Sequence, residues 1–370
     1  MKCRHSSVRL APATLCAVTI AMLAGCAGSG ATSTGTSSTP APADVYAAGI
    51  EVVGTQTKAA VWKNGTETVL DSGSYSARAN GVAVAAGHVY VVGAEGNSAG
   101  QNVPVIWDNG VAAQVPIAGT FGSANGVVAL GSDVYIVGDD ATPTTTPGVN
   151  FYRGALWKDG VESLLADNGY GSTASAVTTD GADIYVGGTA QTIVSGAGGG
   201  TILTQAAAYW KNGTLTVLNS GSTVAVVTGI AVGNAHVYLA GGLCNLQGNT
   251  TCPTVASWQD TSTFPQTPSV YGLATGVALS GSNVYMSENL YPATTAAAND
   301  PVLVTNGSLT TLSVTVGAAA NCVLTNNGDV YVGGSINRAP TYWKNGQPVT
   351  LTATASVAAL TSMAVVPAGT

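Results

Sequence analysis

The stretch "ANGVAVAAGHVYVVG", Ala79 to Gly93, returns in altered form along the chain. Close copies are "ANGVVALGSDVYIVG" at 124–138, "GIAVGNAHVYLAG" at 229–241 and "GVALSGSNVYMSE" at 276–288. Each copy has two short apolar runs joined by a turn of small and polar residues, which is the pattern of a β-hairpin. The recurrence predicts that the fold is built by repeating one hairpin.

Seven units appear when the chain is aligned on a tyrosine within the second apolar run. All six tryptophans then fall in one later slot, directly before a turn such as "WKNG", and Val304 takes that slot in the sixth unit. A period of 44 to 53 residues is typical of repeat architectures. The aligned tyrosines are Tyr46, Tyr90, Tyr135, Tyr185, Tyr238, Tyr285 and Tyr331, and the tryptophans are Trp62, Trp107, Trp157, Trp210, Trp258 and Trp343.

Each unit supplies four strand signals, named here a to d. The opening hairpin gives strands a and b, and a segment such as "AAVWKNGTETVL" at 59–70 gives strands c and d. Asn64-Gly65 and Asn212-Gly213 are the dipeptide favoured in type I′ turns, whose two central residues both need positive φ. The unit is therefore predicted to be a four-stranded antiparallel meander.

A sheet that is apolar on both faces must pack against copies of itself, so the sequence predicts an all-β fold, a seven-bladed β-propeller over 44–370. The chain enters at "DVYAAG" (44–49), which matches strand b, and leaves at "TSMAVVPAG" (361–369), which matches strand a. We expect the C-terminal strand to complete the first blade and close the ring.

The phrases "DIYVGG" (183–188), "VYLAGG" (237–242) and "DVYVGG" (329–334) resemble the kelch pattern, in which the second strand of a hairpin ends in Gly-Gly. The resemblance spans the whole repeat region and implies a propeller. The kelch pattern separates its later tyrosine and tryptophan, whereas here the tryptophan stands directly before the c–d turn. The chain also resembles bacterial "WKNG" repeat proteins, whose function is unsettled.

The N-terminus has the features of a lipoprotein leader. Three basic residues and a short apolar stretch precede "LAGC" at 23–26, which resembles the bacterial lipobox. We expect a signal peptide at 1–25 and acylation of Cys26, followed by a flexible Gly/Ser/Thr/Pro tether at 26–43. By resemblance to Gram-negative sorting, Ala27 indicates the outer membrane. The alternatives are a plain secretory signal and a short membrane helix.

Composition restricts the partners. Only 8% of the residues are charged, and removal of the leader leaves 8 of the 11 basic residues against 18 acidic ones. An acidic body offers no electrostatic footprint for nucleic acid. We therefore expect a monomer that reaches the membrane through the acyl anchor alone and has a glycan or a protein as its partner.

Because strand directions alternate, the b–c and d–a connections share one end of the propeller, called here the loop face. The a–b and c–d turns share the opposite end, the turn face. Long b–c loops make the loop face the predicted working face. Four d–a connections carry an aromatic residue there, and Arg78 lies close to the first. The predicted ligand-binding residues are Tyr75, Arg78, Phe121, Tyr170 and Tyr271.

Two interpretations of these aromatic residues stay open. They either line the channel mouth and stack on a sugar or a peptide, or they plug gaps between blades. The recurring tyrosines and tryptophans in the strands are interpreted as blade core.

Other polar residues give no clear site. His88 and His236 fall in turns, so we expect no metal and no cofactor, and no histidine is placed to bind copper as in kelch enzymes that resemble galactose oxidase. Lysines flanking the c–d turns are interpreted as solvated, as are the loop carboxylates, although Asp139 and Asp140 could join a calcium site. These residues are Lys63, Lys158, Lys211 and Lys344, and Glu95, Asp139, Asp140, Glu288 and Asp300.

Three cysteines follow the leader and its acylated Cys26. Cys244 and Cys252 share one b–c loop, and we expect a disulfide between them in an oxidising compartment. Cys322 falls in strand a and is expected to be a buried thiol.

The sequence favours a non-catalytic binding or scaffold module. The alternative is a propeller enzyme at the channel mouth, such as a lactonase or a sugar-acting isomerase. Such an enzyme needs several convergent polar side chains, and the d–a connections offer only Arg78, Asn80, Asn125 and Asp167.

Overall fold

The computed structural model describes eight stretches of the chain: 43–70, 75–145, 150–195, 201–218, 224–244, 254–264, 271–291 and 300–369. Their regular structure consists of β-strands, with no helix long and apolar enough to cross a membrane. Cys26, the signal peptide, most of the tether and Cys252 lie outside these stretches, so the expectations about them stay predictions.

The strands form seven four-stranded antiparallel sheets, which confirms the seven-bladed propeller. Blade 1 consists of β28 (Ala358–Pro367), β1 (Ala43–Val53), β2 (Gln56–Lys63) and β3 (Thr66–Val69). Blade 2 consists of β4 (Ala77–Ala85), β5 (His88–Gly96), β6 (Asn102–Asp108) and β7 (Val111–Gln114). Blade 3 consists of β8 (Phe121–Leu130), β9 (Asp133–Pro143), β10 (Asn150–Lys158) and β11 (Val161–Leu164).

The other four blades repeat this order. Blade 4 consists of β12 (Ser172–Thr179), β13 (Ile184–Ser195), β14 (Thr201–Lys211) and β15 (Thr214–Val217). Blade 5 consists of β16 (Val224–Gly233), β17 (His236–Cys244), β18 (Thr254–Gln259) and β19 (Ser262–Thr263). Blade 6 consists of β20 (Gly272–Ser280), β21 (Asn283–Leu290), β22 (Asp300–Thr305) and β23 (Ser308–Thr311). Blade 7 consists of β24 (Ala319–Asn326), β25 (Asp329–Ile336), β26 (Ala339–Lys344) and β27 (Gln347–Thr350).

The two ends of the described chain meet in blade 1, as expected. β28 pairs antiparallel with β1 over nine residue pairs, from Ala43 opposite Pro367 to Glu51 opposite Ala358. An open ring would leave the backbone groups of this pairing without their partners. The C-terminal strand is therefore strand a of the first blade.

The c–d turns confirm the predicted type I′ geometry, with φ of 50° at Asn64 and 87° at Gly65 in the first blade. The turn residue also has a second role. In all seven blades its side-chain oxygen accepts a hydrogen bond of 2.8–3.0 Å from a backbone N–H at the start of strand b, as Asn64 does from Val45. Asp159 and Asp260 do the same in blades 3 and 5, so the bond needs an oxygen rather than an amide.

The tryptophans are blade core, as interpreted from their regularity. All six are at most 1% exposed, and each side chain packs against the preceding blade. Four indole N–H groups are seen to donate to a carbonyl of the preceding blade, at 2.5–3.1 Å: Trp62 to Thr352, Trp157 to Pro116, Trp210 to Ala166 and Trp343 to Leu312. A buried indole N–H needs such an acceptor, so these four tryptophans both pack against the preceding blade and donate a hydrogen bond to it.

Candidate functional site

The propeller encloses a central cavity of about 210 Å³, lined by the innermost strand of every blade. Each innermost strand has a β-bulge, and one residue of the bulge lies in the cavity wall. The seven bulge residues are Thr361, Asn80, Asn125, Ser175, Thr228, Thr275 and Asn321 in blades 1 to 7. Hydroxyl and amide side chains thus form one polar belt around the channel.

Most side chains of the belt are hydrogen-bonded within the protein. In six blades the bulge side chain donates to a backbone carbonyl of the next blade at 2.7–2.9 Å, from Asn80 to Ala124 through to Thr361 back to Ala79. The belt therefore ties blade to blade, because a bulge turns its extra residue out of the sheet. The sequence analysis did not predict the belt, because three residue types, Asn, Ser and Thr, occupy the bulge position.

The belt makes the channel neutral, with hydroxyl and amide groups rather than charges in its wall. Among the residues that the structure describes, no group of three or more His, Cys, Asp and Glu side chains could hold a metal ion. The free thiol of Cys322 also lines the cavity, and the residue is half-buried rather than fully buried. Burial raises the pKa of this thiol to about 12, so it stays protonated at neutral pH.

The four d–a aromatic residues lie on the loop face but do not share one position. Tyr75 and Tyr170 stand five residues before the bulge residue, whereas Phe121 and Tyr271 stand four before it. The four residues therefore do not occupy equivalent positions, and none of them lines the channel cavity.

Exposure separates the two interpretations of these residues. Tyr75 is 43% exposed, Tyr170 42% and Tyr271 65%, while Phe121 is half-buried. Side chains this exposed do not fill a gap between blades. The exposure of the three tyrosines favours the surface interpretation over the plug interpretation.

Phe121 packs against an aromatic residue of β10, Tyr152. Phe121 and Tyr152 both lie opposite Ala141 of β9, so they share one row of the sheet. Their rings meet edge to face, with centroids 6.0 Å apart. Tyr152 is 41% exposed and occurs once, in a b–c hairpin, which is why the repeat did not reveal it.

The backbone brings Tyr170 close to β10, the strand that carries Tyr152. A Cβ on Gly171, where φ is +108°, would lie 2.8 Å from the Tyr152 carbonyl oxygen and 3.4 Å from the Phe151 ring. Only glycine fits there. The N–H of Gln191 in β13 donates to the Gly171 carbonyl at 2.9 Å, which fixes the segment against blade 4. We call Phe121, Tyr152 and Tyr170 the aromatic shelf.

Tyr75 and Arg78 lie elsewhere, at the junction of blades 1 and 2. Arg78 is exposed and lines a separate cavity of about 320 Å³ with Ser76, Thr57 and Asn102. Tyr271 directly precedes blade 6. The predicted ligand-binding residues are thus divided among three places.

The loop carboxylates interpreted as solvated are mostly structural. Asp140 is 1% exposed and accepts the N–H of Gly119, and Glu288 is fully buried inside β21. Asp139 accepts the N–H of Ala174 and the amide of Asn125, both at 3.1 Å. Burial raises the pKa of Asp139 to about 6. Asp139 and Asp140 therefore hold neighbouring segments rather than a shared ion.

Two carboxyl pairs hold the d–a connection of a preceding blade in the same way. Glu67 accepts the N–H of Thr354, and Glu51 accepts the hydroxyl of Thr354 and the N–H of Ala355. In blade 3, Glu162 accepts the N–H of Ala118 while Asp140 accepts that of Gly119. Burial raises the pKa values of Glu67, Glu162 and Asp140.

The lysines of the turn face are exposed, as interpreted from the sequence, and each also takes part in an ion pair. In four blades the lysine meets an aspartate at 2.7–3.2 Å and lies 5.1–5.5 Å from the centroid of the strand-b tyrosine; the lysines are Lys63, Lys158, Lys211 and Lys344. Where histidine replaces the aspartate, the acid lies at the c–d turn instead: His88 meets Asp108 at 2.8 Å and His236 meets Asp260 at 2.6 Å. The histidines begin strand b beside the a–b turn, which confirms their turn position.

No protein-family model and no curated protein matches the chain. Solved structures to which it is similar include the nidogen/laminin complex, with TM-score 0.44 and 9% identity over 88% of this chain and 98% of that one. Another is the β-propeller domain of the Trilobed protease from Pyrococcus furiosus, with TM-score 0.41 and 10% identity over 72% of this chain and 78% of that one. A third is the Pyrococcus horikoshii acylaminoacyl peptidase, with TM-score 0.39 and 12% identity over 78% of this chain and 48% of that one.

Proposed function

We propose that the protein is an envelope lipoprotein whose kelch-like propeller is a non-catalytic binding module. The lipobox-like "LAGC" and the tether at 26–43 support an anchor at Cys26, on the outer membrane where the cell has one. Anchoring by acyl chains suits an acidic body, which anionic lipid repels. The partner is a glycan or a protein presented in the envelope.

The single observation that carries the binding role is the aromatic shelf. Its two tyrosines are each about two-fifths exposed, although the blade core is already filled by the tryptophan slot. The loop face therefore presents aromatic surface that packing does not require, on a rigid sheet. The channel supports binding over catalysis, because most of its polar side chains are committed to carbonyls of the next blade.

The binding role is tested with the full chain on arrays of glycans and peptides. We expect Tyr152→Ala and Tyr170→Ala each to weaken binding about tenfold, because each removes a contact ring. Each should melt within about 2 °C of the parent, since exposed side chains contribute little to stability. Val161→Ala is the matched control, an exposed apolar residue of β11 in the same blade. A parent protein that binds neither class of ligand would contradict the proposal.

The proposed export to an oxidising compartment also predicts a disulfide between Cys244 and Cys252. Cys244 ends β17 and is buried. Cys252 stands eight positions after Cys244 in sequence, which suffices to close a loop. Mass spectrometry of non-reduced peptides should find this link and leave Cys322 unpaired, whereas a link to Cys322 would contradict the pairing.

A further inference from the structure

We infer that the aromatic shelf binds a neutral glycan, with pyranose rings stacked on Tyr170 and Tyr152. The inference rests on the proposed binding function and names the ligand class of the same site. Three features of the shelf support it: the charges nearby, the groups left for hydrogen bonding, and the rigidity of Tyr170.

The carboxylates beside the shelf are already hydrogen-bonded within the protein. Asp139 holds Ala174 and Asn125, and Asp140 holds Gly119. Arg153 lies directly opposite Asp140 in the sheet, with its guanidinium carbon 6.0 Å from the centroid of the Phe151 ring. The described residues of the shelf therefore offer no basic cluster to phosphate or to an acidic polymer.

A further charge near Tyr170 is negative. Asp167 stands three residues before Tyr170 and accepts the N–H of Gly169. Its carboxylate disfavours an anionic ligand on the shelf, because like charges repel at short range.

Neutral polar groups surround the rings instead. The described parts of the two neighbouring hairpins, 141–145 with 150–152 and 189–193 with 204–205, contain no charged residue. The Gln191 amide carbon lies 3.7 Å from the place of a Cβ on Gly171, so this amide borders the shelf. An aromatic face with hydroxyl and amide groups at its edge matches a sugar, which has an apolar C–H face and hydroxyls at its rim.

Tyr170 is fixed by its backbone before any ligand arrives. It stands between Gly169, with φ of +82°, and Gly171, with φ of +108°. The N–H of Gly169 donates to Asp167 at 2.9 Å, and the Gly171 carbonyl accepts from Gln191. Two residues of positive φ around one exposed aromatic fix the path of the backbone, and a preformed ring loses little entropy on binding.

A peptide is the competing ligand, because it would add to an exposed strand edge. β14 is longer than its neighbour β15, which pairs only with Ala208 to Lys211. The outer edge of β14 at 204–206 therefore extends beyond its partner and could accept an added strand. Peptide binding there would depend on backbone groups and would not require Tyr170.

The test titrates the full chain calorimetrically with cellohexaose, maltohexaose, mannohexaose and chitohexaose, with trigalacturonic acid as the anionic probe and a library of uncharged octapeptides. We expect at least one neutral oligosaccharide to bind, and trigalacturonic acid to bind about tenfold more weakly or not at all. Tyr170→Ala should weaken glycan binding about tenfold, while Tyr170→Phe keeps it within about threefold because stacking is preserved.

Each other outcome has a definite meaning. Peptide binding without glycan binding would overturn the glycan inference and leave the binding function standing. Glycan binding unchanged in Tyr170→Ala would overturn the shelf as the site. A parent that binds none of the probes would overturn both the inference and the proposed function. Val161→Ala and equal melting temperatures of all variants exclude a folding defect as the cause.

Discussion

Asp139 is a buried carboxyl group whose ionised form is unfavourable in the folded protein. One of its oxygens accepts the N–H of Ala174 in blade 4, the other accepts the amide of Asn125 in its own blade, and burial raises its pKa to about 6. Asn289 bridges to the next blade in a similar way from blade 6, where it donates to the Ala320 carbonyl and accepts the Ala320 N–H. A neutral amide thus performs this bridging without ionisation. The carboxylate of Asp139 instead accepts from two donors, and its charge is unfavourable because the group is buried.

Asp139→Asn should stabilise the protein at neutral pH and destabilise it by about 1 kcal/mol in acid, because the amide oxygen accepts from only one of the two donors, Asn125 and Ala174. A raised folded pKa means that the contribution of Asp139 is fully present below about pH 4 and is lost as pH rises through about 6. The loss at pH 7 is on the order of 2–3 kcal/mol, because a tenfold change in proton affinity corresponds to about 1.4 kcal/mol. Urea unfolding at pH 4 and pH 7 measures it, and a variant less stable than the parent at both values would contradict the argument.

At the scale of single strands and connections, carboxyl pairs fix the paths between blades. Glu51 and Glu67 hold the connection at 354–355, and Asp140 and Glu162 hold the one at 118–119. Both pairs sit in blades whose tryptophan also donates to the same connection. The two d–a connections are therefore held at three points each, which explains how irregular segments stay ordered on the rim of a propeller.

Glu67→Ala should cost about 1–3 kcal/mol, because it leaves the N–H of Thr354 without its acceptor. Glu67→Gln is the matched control and should keep near-parental stability at pH 7, since burial raises the pKa of Glu67 and a neutral acceptor fits the site. By the sign of that shift, the parent is more stable at about pH 4 than at pH 7 at this site, and the Gln variant loses the difference. Equal stability of the Ala and Gln variants in chemical denaturation would contradict this role.

The repeat made strands and turns predictable but not the charged positions. A tryptophan before Asn-Gly identifies strand c and a type I′ turn, because both features depend only on residues adjacent in sequence. The sequence places Asp140 and Glu288 among the loop charges because the apolar run ends before them, whereas β9 and β21 continue through these residues.

The aromatic shelf was predictable only in part. Phe121 and Tyr170 followed from recurrence in the d–a connections. Tyr152 occurs in one blade only, and its contact with Phe121 depends on the length of the β9–β10 hairpin, which the repeat does not set.

At the scale of the whole molecule, the ring is closed by the pairing of its first and last strands, β1 and β28. Asn321 of blade 7 donates to the Leu360 carbonyl, and Thr361 donates to the Ala79 carbonyl of blade 2, so β28 completes the belt as well as the sheet. Closure was predictable from sequence because a chain that starts at strand b and ends at strand a has one way to fill its first blade. The belt was not, because three residue types share the slot.

Deleting Thr361 to Thr370 should destabilise the protein far more than an ordinary terminal trim. It removes most of β28, the Thr361 bonds of the belt, and the side of blade 1 that faces the channel, including Met363 of the core. We expect the melting temperature to fall by more than about 10 °C, or cooperative unfolding to be lost, because terminal residues tolerate removal only when they are not tied into a sheet. Deletion of 368–370 is the control, since it leaves β28 whole, and should change melting by only about 1–2 °C. A 361–370 deletion that melts like this control would show that the ring does not depend on its last strand.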